Sequence, residues 1–366
     1  MAMIYGTPLL LGGGGKVKEN DILPYVVTDF QILNQSTGQA PKIQLSWTNP
    51  VSVYQEYFAG VKMVRKVGSM PMNTSDGVLV YDGKDNRYTD NDVEYDIDYY
   101  YRAFPYNTKG QYQTSLVGQL GHVVSVKGLL LSTIALKEKI KLGRCKNTDL
   151  QWQVAHQSGG VTTLVLAGTS VNVVGSMMFD KEEPNNPDSN RKQYGNNRYI
   201  HSGIHQWLNA EGAANTWWKK QHNYDVAPPY TNQDGFLRQW SSEHLRVLQN
   251  ATWTVTKSNT DGGGTETFPA RIALASSTEV GLENGTGGEK LAMFNSNADR
   301  TMANKWWWLR TPYPSNSCYV RVVNAGGSLY GFSACNTDWV RPLCKISSEL
   351  LVSLTKDSDG CYNLVL

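Results

Sequence analysis

Apolar and polar residues alternate with a period of two over most of the first third of the chain. PYVVTDFQILNQ (24–35), PKIQLSWTNP (41–50), YFAGVKMVRKVG (57–68), GVLVYDG (77–83), NRYTDNDVEYDIDYYYRAFPYN (86–107) and YQTSLVG (112–118) all read this way, and Gly, Pro, Asn or Asp punctuate most of the gaps. Successive strand side chains point to opposite faces, so this alternation marks half-buried strands. Several short strands at such spacing predict a β-sandwich over 23–118. Ahead of it, PLLLGGGGKVKEN offers only the short apolar run Pro8 to Leu11 before four glycines, too little for a secretory signal. Residues 1–22 read as a flexible arm.

A connector is expected at 119–139, where a short apolar run passes into the basic stretch KEKIK. Beyond it LQWQVAHQ, VTTLVLAG and SVNVVGSMMFD read as strands. Ile200, Ile204, Trp207 and Leu208 then recur at helical spacing, with Asn196 or Asn197 available as the cap. Phe236, Leu237 and Trp240 suggest a second short helix, while Leu245, Val247 and Leu248 fit a turn or strand after it. TETFPARIALAS is a further strand, ending in Ser276 and Glu279 at the spacing of a capping box. Strands, two helices and an irregular return to strands predict an α+β domain over 140–366.

Composition narrows the function. With 34 Lys plus Arg against 32 Asp plus Glu, there is no electrostatic footprint for nucleic acid, and no apolar run is long enough for a membrane-spanning helix. Abundant Gly and Tyr, 11 Trp and low charge suit a β-rich binding protein more than a helical enzyme.

One stretch stands apart: WWWLRTPYPSNSCYVRVVNAGGSLYGFSACNTDWVRP, 306–342. In CYVRVVN, Val320 and Val322 fall on one side of a strand and Tyr319, Arg321 and Val323 on the other. Gly326-Gly327 reads as a turn, after which Leu329 and Ala334 point inward. Tyr319, Arg321, Ser328, Tyr330, Phe332 and Ser333 are left for exposure, a Tyr, Ser, Gly and Asn surface like that of antibody paratopes. Lys, Glu, Gln, Met and Trp make up roughly a fifth of the chain, yet none occurs from Thr311 to Asp338. At the chain's own composition such a gap has on the order of one chance in several hundred.

The Trp-Trp-Leu-Arg-x-Pro opening at Trp307 to Pro312, the Gly-Gly-Ser-Leu hairpin at Gly326 to Leu329 and the Val-Arg-Pro exit at Val340 to Pro342 carry a resemblance. The segment resembles the C-terminal variable region of C-type-lectin-fold proteins diversified by retroelements. That resemblance implies adenine-directed mutagenesis of Asn codons, which yields Tyr, Ser, Asn, Phe, Cys, Asp and Arg and excludes the five missing types. Trp339 departs from this alphabet, so it is either fixed or derived from another codon. The variable region is thus expected at 311–339, with a ligand-binding face of Tyr313, Ser315, Ser317, Tyr319, Arg321, Asn324, Ser328, Tyr330, Phe332, Ser333, Asn336, Asp338 and Trp339. Trp307, Trp308, Arg310 and Arg341 are expected as scaffold.

The N-terminal part resembles a fibronectin type III or Ig-like domain, with Ile43, Leu45 and Trp47 on its second strand and Tyr99 to Ala103 on its Tyr-bearing strand. The expected fold class is multidomain: an all-β sandwich followed by an α+β C-type-lectin-like domain. The expected function is non-enzymatic recognition of a host-cell surface protein or glycan, on a phage tail or a bacterial surface. A homo-oligomer, a trimer in a virion, fits that setting. A non-diversified carbohydrate-binding adhesin or structural virion protein of the same fold is the alternative.

No catalytic residue, metal ligand or cofactor is expected. The five cysteines offer no CxxC pair and no paired Cys/His spacing. Formylglycine-generating enzymes share a related fold and work through C-terminal cysteines, and Cys335 with Cys344 is the nearest approximation. His201 and His205 sit four residues apart without a third ligand, and Glu183-Pro184-Asn185 lies in the wrong part of the domain for a lectin calcium site. The loops GLENGTGG and DGGG lack the Lys-Ser or Lys-Thr of a phosphate cradle.

Overall fold

A computed structural model describes residues 26–36, 40–50, 57–114, 120–124 and 128–366. The arm expected at 1–22 lies outside the described residues. The chain is a β-rich multidomain protein. Its contacts divide it into two compact units, which part near residue 126, with 35–39 joining the second. Among the described residues no helix is long and apolar enough to cross a membrane.

The first unit holds β1 (Thr28–Asn34), β2 (Ile43–Thr48), β3 (Phe58–Val67), β4 (Val78–Gly83), β5 (Arg87–Asp90), β6 (Asp98–Asn107) and β7 (Leu120–Val124). They form a three-stranded sheet ordered β1-β2-β5 and a four-stranded sheet ordered β4-β3-β6-β7. The alternation in IQLSW sends Ile43, Leu45 and Trp47 inward from one sheet, to meet Val61, Met63, Tyr99, Tyr101 and Ala103 from the other. A polar knot ties the sheets across this core. Asp90 accepts from the Tyr101 hydroxyl at 2.8 Å and from Arg65 Nη1 at 2.8 and 3.0 Å. All three side chains are buried, and with Asp92, whose amide donates to Asp90 and whose carboxylate pairs with Arg65, they satisfy one another. Of the YQTSLVG stretch, only 112–114 is described, and Tyr112 forms a single bridge to Tyr106.

The second unit begins with β8 (Leu129–Leu130), β9 (Lys139–Cys145), β10 (Thr148–Ser158) and β11 (Val161–Leu166). Helix α1 (Gly168–Val174), β12 (Ser176–Met178), α2 (Ser189–Tyr194), α3 (Gly203–Leu208) and α4 (Ser242–Val247) follow. Then come β13 (Ala251–Thr256), β14 (Thr265–Ala270), β15 (Ile272–Leu274) and α5 (Asn297–Arg300). The unit closes with β16 (Trp307–Pro312), β17 (Tyr319–Val323), β18 (Leu329–Ser333), β19 (Thr337–Trp339), β20 (Pro342–Ser347), β21 (Leu351–Val352) and β22 (Cys361–Val365).

One sheet runs β15-β20-β11-β10-β9-β22-β21-β8, a second runs β12-β19-β16-β17-β18, and β13 pairs with β14. The final strand β22 lies parallel to β9, so the two ends of the unit meet in one sheet. Four buried indoles are satisfied by carbonyls: Trp152 by Leu142, Trp253 by Ala270, Trp307 by Arg300 and Trp308 by Met177, all at 2.8–3.0 Å.

Several sequence expectations shift. The expected connector 119–139 divides: Leu120–Val124 pairs with β6 in the first unit, and Leu129–Leu130 pairs with β21 in the second. The stretch SVNVVG is helical, not extended, up to Gly175, because Val171 and Val174 are three residues apart and both bury on one helix face. A short apolar run does not distinguish the two states by itself. The helix expected from Ile200 starts at Gly203, capped by the Ser202 hydroxyl rather than by Asn196 or Asn197. Phe236, Leu237 and Trp240 pack from a turn, and the next helix is Ser242–Val247, where Ser241 supplies the cap. Ser276 and Glu279 do exchange reciprocal bonds at 3.0 and 2.9 Å, but around a turn.

Tyr101→Phe removes a donor from a buried carboxylate and should weaken the first unit by about 1.5–3 kcal/mol. Hydrogen exchange at β2 and β6 amides measures this, and unchanged protection would show that Arg65 and the Asp92 amide satisfy Asp90 without the hydroxyl.

Candidate functional site

The site is assembled on β16, whose six residues are all buried. Trp307 and Trp308 point to opposite faces of the strand, opposite Val323 and Val322 of β17. Arg310 is fully buried, and its guanidinium has no contact with water. Nη1 and Nη2 donate to Glu279 at 2.5 and 2.8 Å, Nε donates to the Thr254 carbonyl at 2.9 Å, and Nη1 donates again to the Leu274 carbonyl at 2.6 Å. The indole of Trp253 lies 5.4 Å from the charge. Gly288 packs directly on this pair: a Cβ there would stand 2.4 Å from Glu279 Oε1, and its φ of +73° is one that side chains rarely adopt.

From this base the chain runs through the loop 313–318 into the β17–β18 hairpin, and the surrounding elements hold its main chain. Asn197 is buried, and its Nδ2 donates to the carbonyls of Asn316 at 2.6 Å and Tyr319 at 2.9 Å. The backbone N–H of Asn259 donates to Pro314 O at 2.7 Å. Arg191, anchored on Asp261 at 2.6 Å, reaches Ser317 O at 3.3 Å. Beyond the hairpin, Ala334 O accepts from the amides of Phe179 and Asp180, and Cys335 N–H donates to Tyr194 O, each at 3.0 Å. At the turn, Arg300 Nε donates to Gly327 O at 3.0 Å. Every one of these contacts is to backbone. Asn197 was read from sequence only as a potential helix cap. Its partners lie in a distant segment, and no local pattern announces them.

The thirteen residues expected on the binding face do not share one surface. In the β17–β18 register Tyr319 is opposite Ser333, Arg321 opposite Gly331, Val320 opposite Phe332 and Val322 opposite Tyr330. Directly opposed residues share a face. Tyr319 and Arg321 therefore lie on one face, and Tyr330 and Phe332 on the other. On the first, Tyr313 packs edge-on to Tyr319 at 6.4 Å between ring centroids and lies 4.4 Å from the Arg321 guanidinium, which pairs with Glu283 of the GLENGTGG loop. Gly331 makes room for this cluster, since a Cβ there would approach Tyr313 to 3.0 Å. On the second, Tyr330 and Phe332 pack on Trp306 at 5.2 and 5.9 Å.

Tyr319, Tyr330, Ser315 and Ser328 are exposed, while Tyr313, Arg321, Phe332, Asn336 and Trp339 are half-buried. The half-buried Asn324 spends its side chain on the turn, accepting from the amides of Gly326 and Ser328. The expectation of exposure is corrected for Ser317, Ser333 and Asp338, which are buried. Asp338 lies in β19 opposite Met177, and its Oδ2 has no hydrogen-bond partner. Burial pushes its pKa up to about 7. The scaffold residues Trp307, Trp308, Arg310 and Arg341 are all buried. Trp339 is half-buried with Lys305 Nζ 4.5 Å from its ring, a built contact rather than an open one.

Other candidates resolve separately. Cys335 lies between β18 and β19, and Cys344 lies in β20 of the other sheet. Burial raises both thiols, away from the thiolate that cysteine chemistry needs. His201 stacks on His222 at 3.7 Å, and burial lowers both His201 and His205 to about 4, so they are neutral at pH 7. Glu183 is buried, accepting from Asn186 and Asn196. Among the described residues no three His, Cys, Asp or Glu converge to hold a metal ion.

Residues 162–348, just over half of the chain, match a domain of unknown function, DUF6273. The chain belongs to the DUF6273 family. The DUF6273 segment opens within β11 and closes just after β20, which are adjacent antiparallel strands, so it is a structurally closed piece of the second unit. It contains β16 and the whole hairpin, together with Asn197, Arg191 and Glu279. No curated protein matches the chain.

Two outcomes follow for the DUF6273 segment. Glu279→Gln leaves the buried Arg310 charge uncompensated and should cost about 3–5 kcal/mol. Denaturant titration of tryptophan fluorescence reads this directly, because every tryptophan except Trp47 lies in the second unit. Asp338 has a folded pKa above its unfolded value, so its contribution to stability is fully present below about pH 4 and is lost as pH rises through about 7. Asp338→Asn should therefore raise the melting temperature at pH 8 while leaving it nearly unchanged at pH 4, and an equal shift at both would contradict the assignment.

Proposed function

We propose that the chain is a non-enzymatic ligand-binding protein whose segment 311–339 is diversified by a retroelement to recognise varying host-cell surface proteins or glycans. In this reading the second unit is a C-type-lectin-like domain, preceded in sequence by a fibronectin type III or Ig-like domain. It is displayed on a phage tail or a bacterial surface.

The observation that carries the proposal is the backbone grip. Asn197, Asn259, Arg191, Arg300 and Tyr194 hold 314–335 by its carbonyls and amides. A surface held this way tolerates exchange of its side chains, as recognition loops on a rigid scaffold do. The exposed residues are Tyr and Ser, large rigid contacts beside small adaptable ones. The restricted alphabet from Thr311 to Asp338 is what the proposed mutagenesis leaves behind. The fold reading is supported in the first unit by three- and four-stranded sheets around one core. In the second it is supported by the pairing of β9 with β22 and by a separate sheet that bears the hairpin. With two aromatic faces, the hairpin presents its contacts around β18, the outermost strand of its sheet among the described residues.

Tyr319 is 38% exposed and Tyr330 55%, so the double variant Tyr319→Ser, Tyr330→Ser should stay within about 1 kcal/mol of the parent's stability and change what is captured on cell or glycan arrays. Loss of the fold in that variant would sink the proposal. The diversification itself is tested in DNA, by a near-repeat of the codons for 311–338 with adenines at the variable positions beside a reverse transcriptase gene. Without that repeat, the reading reduces to a fixed adhesin or structural virion protein.

A further inference from the structure

A cleft of ≈ 490 Å³ lies in the second unit, within the size range of small-ligand pockets, and no residue of the hairpin lines it. Arg341 lines it, and among the described residues it is a buried arginine that, like Arg300, pairs with no carboxylate. Its Nε donates to Leu166 O at 3.2 Å and its Nη2 contacts Gln153 Oε1 at 3.5 Å, but Nη1 has no partner. Among the described residues no carboxylate pairs with it, in contrast to Arg310 with Glu279. The rings of Trp307 and Phe294 stand 5.1 and 5.5 Å from its charge.

Magnitudes decide whether those rings suffice. A cation–π contact contributes about 0.5–2 kcal/mol, whereas taking an ion out of water costs several. Burial lowers the Arg341 pKa only to about 10, so the group stays charged at neutral pH. The site therefore carries a standing positive charge that two rings and two neutral oxygens do not balance.

The rest of the lining adds to it. Lys305 stands on the cleft at the end of a tight turn closed by its own amide on Met302 O at 2.6 Å, and it has no ion pair among the described residues. Asp299 also lines the cleft, but Lys137 neutralises it at 2.6 Å. Thr169 and Asn172 supply neutral hydrogen-bonding groups, and Met293 and Met302 supply apolar surface. Two cations that meet aromatic rings but no carboxylate, Lys305 on Trp339 and Arg341 on Trp307 and Phe294, together with neutral polar groups and a partly apolar wall, match one anionic group on a small polar molecule.

We propose that this cleft is a second binding site, for a monosaccharide-sized molecule carrying one carboxylate or phosphate, with Arg341 and Lys305 holding the anion. The assignment is independent of how the hairpin is used. Arg341, whose Nη1 is out of reach of water, acts on the anion through its charge, and Lys305 makes the contact.

Isothermal titration of the full chain with glucuronate, glucose 6-phosphate and glucose tests it. Binding of either acid with Kd below about 1 mM and none of glucose is the expected result, and which acid binds distinguishes carboxylate from phosphate. Arg341 is too deeply buried for its loss to be informative alone. Lys305→Gln, checked for folding by circular dichroism, should weaken the acid about tenfold. Tyr330→Ser should leave it unchanged, which separates this site from the hairpin. Failure of both acids at about 10 mM, equal binding of glucose, or an unaffected Lys305→Gln variant would overturn the proposal.

Discussion

The buried pair of Arg310 and Glu279 constrains everything built above it. Neither charge is free to reach water, and the desolvation cost is offset only because each partner is saturated. Arg310 also donates to carbonyls of β13 and β15, so one guanidinium joins three strands and a turn. Glu279 is fixed by the Ser276 amide, and the glycine at 288 lets the following loop lie flat against it. A hydrophobic replacement of similar volume could fill the space, but it would not set the directions in which β13, β15 and β16 meet. The pair specifies geometry as much as it contributes stability.

That geometry explains the division between fixed and free side chains in the DUF6273 segment. Inward side chains of β16 and the polar grip of Asn197, Arg191 and Arg300 are tied to specific partners. Outward side chains of the hairpin are tied to few. The hairpin register then distributes the aromatic residues over two faces, so the proposed ligand would meet tyrosines from both sides of the ribbon rather than a single flat wall.

Much of this was legible in the sequence and some was not. The period-two runs locate the strands of the first unit because one face of each is buried, and the inward set Ile43, Leu45 and Trp47 follows from that period alone. The hydrophobic ends of 306–342 announce a scaffold because three tryptophans and an arginine in sequence cannot all be solvated cheaply. The two-sided hairpin was missed because outward residues were grouped by polarity. Face is set by pairing register, which the turn from Asn324 to Ser328 fixes so that odd positions oppose odd and even oppose even. Asn197 was missed because its role depends on carbonyls far along the chain. The helix at Gly168–Val174 was missed because four apolar or small residues in a row suit either state until packing chooses.

The pairing of β9 with β22 has a consequence for the order of events in making the protein. The sheet that underlies the unit cannot close until residues 361–365 exist, on the order of 200 residues after β9 emerges. Contacts of such long sequence separation fold slowly, since loop closure must precede any gain from pairing. The residues that grip the hairpin, Arg191, Tyr194, Asn197, Asn259 and Arg300, precede it in the chain, so they exist before the segment they hold. The frame for the proposed variable segment is thus made before the segment itself, and only the sheet that holds β9 waits for the last strand, β22.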